Sequence, residues 1–403
     1  MRFEPTSIPL FFDILEDELY LVNTAYNRML EEFKKYGYRE IKTSKIEQRD
    51  KYLNATKVHW SKIFEVHRSK ERSKFLLQSD LAISMSRYVA YSKDSSVIRL
   101  IQMGDIYRDR IPFLPGYRRE FQQILTGIWG ISHISADLEL LYLNFKQLSS
   151  ISGIRNLYLQ ISNQQIFEDL KQGLSEEIRF SGIDSLFELD IEKNDLLVLK
   201  DLFNQGKIEY NELKKYYHRF SIKIIKSRIS EILYIFEKLK EKGVGKVVFN
   251  LSNLGGTGHY SGFNYRFYAN VNDSEELLIA DGGRIDSLVS KFNSNADKPA
   301  VCIGIGIQVI AQFLDTKEGL GAVVLIDNED KLDKADKYSE YLRSLNFRSS
   351  IILLPKKKWK NIFLSKYYSN FVFVIINNYA DFEIRSDNMK ALNIIDFNKL
   401  KEL

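Results

Sequence analysis

The sequence contains a single cysteine, Cys302, among 403 residues, so no internal disulfide can form. The lack of disulfides excludes the disulfide-stapled secreted domains and favours a reducing compartment. Nowhere do about 18 apolar residues occur without a charge, which is the minimum for a membrane-spanning helix. The amino-terminal segment carries acidic residues where a signal peptide requires an apolar stretch. We therefore expect a cytoplasmic protein with no membrane partner.

Histidine is also scarce, and its placement argues against metal chemistry. The five histidines are dispersed, with no cysteine or acidic partner at the spacing of metal ligands. Cys302 lies in the apolar run AVCIGIGI, so we predict a buried small side chain rather than a nucleophile. The glycines between 255 and 262 could suggest a phosphate loop, but no Lys-Ser or Lys-Thr pair follows them. The sequence therefore predicts neither a metal nor a cofactor.

A large excess of positive charge is missing as well. The formal net charge is +5, and the isoelectric point lies near 8.8. Proteins that bind a nucleic-acid backbone usually carry a denser basic patch. The basic run KKKWK at 356–360 is short, which favours a solvated loop over a contact with RNA. Nucleic-acid binding is therefore not expected.

The chain does contain ample apolar material. Hydrophobic residues make up 44% of the sequence and charged residues 28%, a composition that argues against intrinsic disorder. A chain of 403 residues exceeds the roughly 250–300 at which a single core stops growing. We expect two domains, residues 1–320 and residues 321–403, separated near the segment KEGLG.

Helical and strand patterns alternate in the first domain. Apolar residues recur at helical spacing from Asp13 to Tyr36, and Gly37 follows where a helix C-cap favours glycine. Further predicted elements are strands at 38–47, 74–80, 97–108 and 120–131, a helix at 81–91, strands again from Lys246, and a helix around 305–314. Runs of antiparallel strands with helices beside them are typical of the α+β class. Residues 135–243 are rich in leucine and isoleucine at helical spacing, which predicts a helical insertion.

The second domain shows a different order of elements. Apolar strand-like runs occur at 322–326, 350–354 and 371–376, with an amphipathic helical pattern at 332–345 between the first two. Alternation of strand and helix favours parallel strands, because a parallel pair needs a crossover connection. We predict a small α/β domain.

Four segments, in chain order, carry a resemblance to a known family. They are FLLQSDLAISMSRYVA with Asp80, IRLIQMGDIYRDRIPFLPGYRREFQQILTGIWG with Arg108, Arg119 and Gln123, NLSNLGGTGHYSGFNYRFY followed by DGGRID with His259, Tyr260 and Arg284, and AVCIGIGIQVIAQFL. They resemble the substrate strand, motif 2, the histidine-specific blocks and motif 3 of class II aminoacyl-tRNA synthetases of the histidyl type. The resemblance implies an antiparallel sheet flanked by helices, and it implies that residues 321–403 resemble an anticodon-binding domain.

The same resemblance implies a pocket for a small amino acid. The residues to which it assigns ligand-binding roles are Asp80, Arg108, Arg119, Gln123, His259, Tyr260 and Arg284. Asp80, Gln123 and Tyr260 would converge on the ligand as a carboxylate, an amide and a phenol. Arg119 or Arg284 could hold the ligand carboxylate through paired hydrogen bonds. The histidine of this set is as compatible with a satisfied core position as with a ligand contact.

Several positions depart from the pattern of an active synthetase. The family uses three arginines on the ATP phosphates, because charge builds on the α-phosphate during adenylation. Arg108 matches one of them, but Val309 and Gly255 stand at the other two positions. Gly127 replaces the acid that holds the substrate amino group, and Arg110 replaces the motif 2 acid. The resemblance therefore implies negligible histidine activation and no catalytic residue.

A branch of this family that lacks aminoacylation is more similar to the chain. It is the regulatory subunit of ATP phosphoribosyltransferase, in histidine biosynthesis, which also has aspartate at the position of Asp80 and a Leu-Ser-x-Leu block like 251–254. This chain departs from that branch at Gly255, and at Gln78 and Ser79 where the branch has Arg-Pro. The resemblance implies a non-catalytic subunit that senses histidine and assembles with a catalytic phosphoribosyltransferase chain.

The implied assembly is a homodimer within a hetero-oligomer. The segments 13–36 and 38–47 occupy the place of motif 1, the dimer interface of class II folds, although Ser44 stands where that motif has proline. Two alternatives stay open. One is a divergent enzyme that activates or transfers an amino acid, and the other is a binding protein of synthetase ancestry with a different partner.

Overall fold

The computed structural model of the chain describes residues 11–56, 62–67, 74–94, 96–109, 118–172, 194–252, 260–271, 275–314, 320–365, 368, 371–378, 381–386 and 392–402. The chain divides into two compact units, Met1–Asp315 and Thr316–Leu403. Within the described ranges, no helix is long and apolar enough to cross a membrane.

Helix α1 (Glu16–Lys35) forms where the apolar spacing predicts it. It buries one face that includes Val22, Tyr26 and Phe33, and its first turn is acidic and its last turn basic, which complements the helix dipole. Gly37 then adopts φ +81°, a left-handed conformation that favours glycine, and the helix ends.

The first unit is built on an eight-stranded sheet beside a small three-stranded one. In chain order the strands are β1 (Arg39–Glu40), β2 (Ile46–Gln48), β3 (Glu65–Val66), β4 (Phe75–Leu77), β5 (Ile98–Tyr107), β6 (Glu120–Trp129), β7 (Arg155–Asn163), β8 (Lys246–Phe249), β9 (Phe263–Val271), β10 (Glu275–Arg284) and β11 (Ala300–Gly306). The large sheet has the order β1-β5-β6-β11-β10-β9-β7-β8, and the small one has the order β2-β4-β3. Only the outermost pairs, β1 with β5 and β7 with β8, are parallel among the described strands of the large sheet. The predicted α+β class is confirmed.

Helices cover both faces of the large sheet. After α1 they are α2 (Arg49–Ala55), α3 (Leu81–Tyr91), α4 (Ser135–Ser149), α5 (Gln165–Gln172), α6 (Asn194–Gln205), α7 (Tyr210–Arg219), α8 (Lys223–Glu241) and α9 (Ile307–Ala311). Strand β6 shows how the two faces are separated, because its side chains alternate. Ile124 and Ile128 belong to the core formed with α1, α4 and α8, whereas Leu125 and Trp129 belong to the core formed with α2 and α3. We call this second side of the sheet the α3 face.

Three element predictions are wrong in part. The predicted helical insertion at 135–243 contains strand β7, which pairs with β8 and β9 in the large sheet. Its polar side chains Gln160 and Ser162 alternate with Leu159 and Ile161, and they are buried because they form hydrogen bonds with Asn250. The predicted strand at 38–47 is split into β1 and β2, which lie in different sheets. The predicted helix at 305–314 is shorter, because β11 continues to Gly306.

The second unit is a four-stranded sheet with helices. Its elements are β12 (Gly321–Ile326), α10 (Leu332–Ser344), β13 (Arg348–Leu353), α11 (Trp359–Phe363), β14 (Val372–Asn378), β15 (Asp381–Arg385) and α12 (Phe397–Glu402). The order is β13-β12-β14-β15, and β12 is parallel to both of its neighbours, as predicted. Strand β15 is antiparallel and was not predicted. The lysines at 356–358 are exposed on a 3-10 turn that leads into α11, rather than on an irregular loop.

Candidate functional site

A small cavity on the α3 face brings together four of the predicted ligand-binding residues. Its lining is formed by Asp80, Ala82, Arg108, Gln123, Leu125, Tyr260, Asp281, Gly282, Ile285, Cys302 and Gly304. Its volume is about 50 Å³. That is room for a few water molecules, far below the roughly 300–1,000 Å³ of a site that encloses a drug-sized ligand.

Asp80 is held at the amino terminus of α3. Its carboxylate accepts a hydrogen bond from the backbone N–H of Ala82 at 2.8 Å and so caps the helix. The hydroxyl of Tyr52 accepts hydrogen bonds from the backbone N–H groups of Ser79 and Asp80, at 2.8 and 2.9 Å. Burial raises the pKa of Tyr52, so this hydroxyl stays protonated and the backbone before α3 is held in place.

Arg108 lies at the end of β5, with its guanidinium directed to Asp80. Its Nη2 is 3.6 Å from the Asp80 carboxylate, and its Nε donates to the carbonyl oxygen of Ser79 at 2.6 Å. The guanidinium also lies 5.6 Å from the ring centre of Phe121, which restricts it further. The motif 2 arginine is therefore held by protein groups at the cavity wall.

Gln123 and Tyr260 approach the cavity over glycines. A Cβ atom at Gly304 would lie 2.4 Å from Nε2 of Gln123, and one at Gly283 would lie 3.0 Å from Cδ1 of Tyr260. The glycine blocks thus allow these two side chains to lie close to the sheet. Burial raises the pKa of Tyr260 well above its usual value, with Asp281 the next cause, so the phenol remains a hydrogen-bond donor.

Three of the predicted ligand-binding residues are not described at this cavity. Arg119 forms an ion pair with Asp109 at 2.9 Å and does not line the cavity. His259 lies outside the described residues, as does Gly255. Arg284 points to the opposite face of the sheet, where it contacts Asp137 of α4.

The Arg284 position is a buried structural network rather than a carboxylate clamp. Its Nε donates to Asp137 at 3.1 Å, and its terminal nitrogens donate to the carbonyl oxygens of Ile131 and His133, both at 2.8 Å. Tyr265 donates its hydroxyl to the same carboxylate at 2.7 Å. Arg284 also donates to Asp286 at 3.4 Å, so one guanidinium and one phenol together serve five protein acceptor atoms. The proposed contact of Arg284 with a ligand carboxylate is therefore not supported.

Gly127, where the resemblance implies an acid in an active synthetase, is closely surrounded by neighbouring side chains. A Cβ atom at Gly127 would lie 2.6 Å from the ring of Trp129 and 2.7 Å from the sulfur of Cys302. The Trp129 ring is fixed by a hydrogen bond from its Nε1 to Ser86 at 3.2 Å. Cys302 is buried, as predicted, and burial raises the pKa of its thiol. No side chain fits at 127 without a shift of this core.

This packing predicts that Gly127→Ala lowers the free energy of unfolding by about 1–3 kcal/mol, the usual cost of overfilling a core. Urea denaturation followed by circular dichroism measures the change. Gly245→Ala is the matched control, because a Cβ atom there meets nothing within 4 Å. Equal unfolding free energies for the two variants would contradict the packing argument.

Val309 stands where the motif 3 arginine is expected and packs against the core shared with α1 and α4. Its Cγ2 lies 3.4 Å from where a Cβ atom of Gly306 would be. Among the residues whose structure is described, no group of three or more histidine, cysteine, aspartate or glutamate side chains could hold a metal ion.

Comparisons with known proteins agree with this architecture. The family described as histidyl-tRNA synthetase matches residues 10–310. The chain is similar to a histidine–tRNA ligase of Sulfurisphaera tokodaii, 23% identical over 96% of this chain and 97% of that protein. A histidine–tRNA ligase of Sulfolobus acidocaldarius is also 23% identical, over 84% of this chain and 83% of that protein.

Two solved structures have a similar fold. One is an ATP phosphoribosyltransferase regulatory subunit/histidyl-tRNA synthetase from Bacillus halodurans, with a TM-score of 0.73 and 18% identity over 93% of this chain and 98% of that chain. The other is a histidyl-tRNA synthetase from a Nostoc species, with a TM-score of 0.72 and 16% identity over 98% of this chain and 99% of that chain.

Proposed function

Because this chain belongs to the histidyl-tRNA synthetase family, we propose that it is a non-catalytic member, a regulatory subunit that senses histidine and assembles with the catalytic chain of ATP phosphoribosyltransferase. In this proposal residues 1–320 form the synthetase-like domain and residues 321–403 a small domain resembling an anticodon-binding domain. The chain acts in the cytoplasm as a homodimer within the hetero-oligomer.

The main support for the proposal is the small number of cationic side chains around the cavity. Adenylation needs several positive groups around the ATP phosphates, because negative charge builds there in the transition state. Arg108 is the only cationic residue among the described residues of the lining, and Asp80 and Ser79 hold it. Val309, at the position expected for the motif 3 arginine, is partly buried and packs against the core. These contacts favour ligand binding over phosphate chemistry.

The partner is suggested by two features. The structural neighbour from Bacillus halodurans is named as an ATP phosphoribosyltransferase regulatory subunit/histidyl-tRNA synthetase, and the similarity covers 93% of this chain. The sequence also shares with that branch the aspartate at Asp80 and the Leu-Ser-x-Leu block. Both features support assembly with a catalytic phosphoribosyltransferase chain.

Histidine would enter this cavity by displacing the Gln123 side chain. The Gln123 amide lies over Gly304, and rotation of this side chain would enlarge the space of about 50 Å³. The ligand ammonium group would then meet Asp80, and an imidazole would lie near Tyr260. Arg108 could contact the ligand carboxylate from its place beside Asp80.

A divergent synthetase-like enzyme is the second candidate. The full-length similarity to histidine–tRNA ligases favours it, since one such ligase aligns with 96% of this chain. Arg108, Gln123 and Tyr260 also remain in place around the cavity. The two candidates predict different activities. A divergent enzyme would form a histidyl-adenylate by itself, whereas a regulatory subunit would act only by changing the activity of a second protein.

Co-expression with a catalytic ATP phosphoribosyltransferase chain from the same genome tests the proposal. We expect the two chains to co-elute in size-exclusion chromatography, and we expect histidine to inhibit the complex. Asp80→Asn keeps the helix cap but removes the charge, so it should leave assembly intact and raise the inhibitory histidine concentration at least tenfold.

A partly exposed acid that does not line the cavity provides the matched control. Glu212→Gln, on α7, should leave both assembly and histidine inhibition unchanged. Separate elution of the two chains, or a complex whose activity ignores histidine, would contradict the proposed function.

A further inference from the structure

A second and larger cavity of the first unit lies beside α8. Its volume is about 720 Å³, within the roughly 300–1,000 Å³ of sites that enclose small molecules. Residues of α8, of the amino-terminal end of α4, of the ends of β7 and β10 and of the start of β9 line it, and we call it the α8 cavity. Its lining includes Asp137 and Arg284, which lie on the face of the sheet opposite the α3 face. The α8 cavity is therefore separate from the small cavity around Asp80.

The two guanidinium groups in the lining of the α8 cavity are already paired with carboxylates. Arg284 is held in the buried network with Asp137 described above. Arg228 of α8 donates to Asp169 at 2.8 Å and lies 3.5 Å from Glu231. A ligand phosphate or carboxylate would have to compete with one of these pairs for its cation. The lining therefore disfavours an anionic ligand.

The carboxylates of the lining are likewise occupied by protein donors. Asp286 accepts hydrogen bonds from the Ser261 hydroxyl and from the backbone N–H of Ala300, both at 3.0 Å. Asp137 accepts from Arg284 and Tyr265. Within the described residues, no group of acidic, histidine or cysteine side chains could hold a metal ion. A cationic ligand is therefore disfavoured as well.

The α8 cavity instead offers neutral hydrogen-bonding groups. Ser227, Ser230 and Tyr234 are exposed on one side of α8 at helical spacing, and Ser132 is exposed just before α4. In the described part of the chain, no hydrogen bond involves these four hydroxyl groups. Asn163, buried at the end of β7, adds an amide to the lining. Because a hydroxyl both donates and accepts, these groups match the hydroxyls of a ligand in either direction.

We propose that the α8 cavity binds a neutral polyhydroxylated small molecule, either a free sugar or the ribose of a nucleoside. The serine hydroxyls on α8 bind the ligand hydroxyls, and the paired charges of the lining stay paired. Sequence reasoning missed this site, because its residues come from segments distant in the chain and the serines on α8 resemble the polar face of any amphipathic helix. The inference does not depend on the proposed function or on the cavity around Asp80.

Saturation-transfer NMR on the full-length chain with three probes tests the inference. The probes are ribose, adenosine and ribose 5-phosphate. We expect ribose and adenosine to bind, and ribose 5-phosphate to bind no more tightly than ribose, since the cations of the lining are paired. Adenosine binding at least tenfold tighter than ribose binding identifies a nucleoside as the ligand, whereas similar affinities identify the sugar alone.

Two variants of α8 place the binding in this cavity. Ser230→Trp fills the cavity and should abolish binding, and the double variant Ser227→Ala with Ser230→Ala should weaken binding about tenfold through the loss of two neutral hydrogen bonds. Lys240→Trp is the matched control, because Lys240 is exposed on α8 but does not line the cavity. It should leave the affinities unchanged. All three changes lie at exposed helix positions, so circular dichroism should show an intact fold.

Three outcomes would overturn the inference. They are no binding of ribose or adenosine by the parent protein, ribose 5-phosphate binding at least tenfold tighter than ribose binding, and equal affinities for the parent and a folded Ser230→Trp variant. Failure of the proposed function has a separate signature, since the chain would then form no complex with the catalytic phosphoribosyltransferase.

Discussion

Replacing Asp137 by alanine is expected to lower the free energy of unfolding by about 3–5 kcal/mol, the usual cost of leaving one partner of a buried ion pair alone. Only 6% of the Arg284 side chain and none of the Asp137 side chain is exposed, so water cannot replace the lost carboxylate. The Tyr265 hydroxyl would lose its acceptor at the same time. Denaturation in urea, followed by circular dichroism, measures the loss.

The control is an exposed ion pair of similar length. Arg219 and Asp201 lie 2.6 Å apart with nearly half of each side chain exposed, so Asp201→Ala should cause little measurable loss. The double variant Asp137→Leu with Arg284→Met should recover part of the stability, because no unpaired charge then remains buried. Similar stabilities for Asp137→Ala and Asp201→Ala would show that the buried network does not hold the fold.

Histidine-dependent pyrophosphate exchange is expected to be undetectable. Loss of one electrostatic contact to a developing anion costs about 10²–10³ in rate, so two missing arginines predict a deficit of roughly 10⁴ or more. The chain has Val309 and Gly255 at those positions, and neither residue supplies a charge. A histidine–tRNA ligase of Sulfurisphaera tokodaii, assayed in parallel, gives the reference rate.

The variant Arg108→Ala shows whether any exchange that is measured depends on the motif 2 arginine. If the remaining motif 2 arginine serves only ligand binding, its removal leaves an exchange rate that is already at background. Exchange within a hundredfold of the Sulfurisphaera tokodaii ligase, abolished by Arg108→Ala, would instead establish the divergent-enzyme candidate.

Local sequence patterns predicted the helices and strands that have one apolar, buried face and one polar, exposed face. Helix α1 buries residues at helical spacing, and α3 begins at the predicted residue because Asp80 supplies a cap. Strands β5 and β6 were predicted within two residues, because each contains a run of apolar residues in the sequence. Strand β7 was missed, because its buried polar residues are satisfied by partners distant in sequence.

The candidate site was also predicted only in part. The family resemblance assigned Asp80, Arg108, Gln123 and Tyr260 to the ligand, and these four residues line one cavity. Arg284 was assigned to the ligand, yet its side chain lies on the opposite face with Asp137. A motif gives the order of residues in the chain, but the direction of each side chain depends on strand register, which is set by pairing with other strands.

The sequence by itself determined which chemical groups are available: one motif 2 arginine, no charge at positions 127 and 309, and a single buried thiol. Only the tertiary structure decided what surrounds those groups. Trp129 and Cys302 fill the space beside Gly127. Asp281 lines the cavity because its strand pairs it with Gly304. The physical reason is that a side chain's charge and size are local properties, whereas the space and the field around it are produced by residues brought near by the fold.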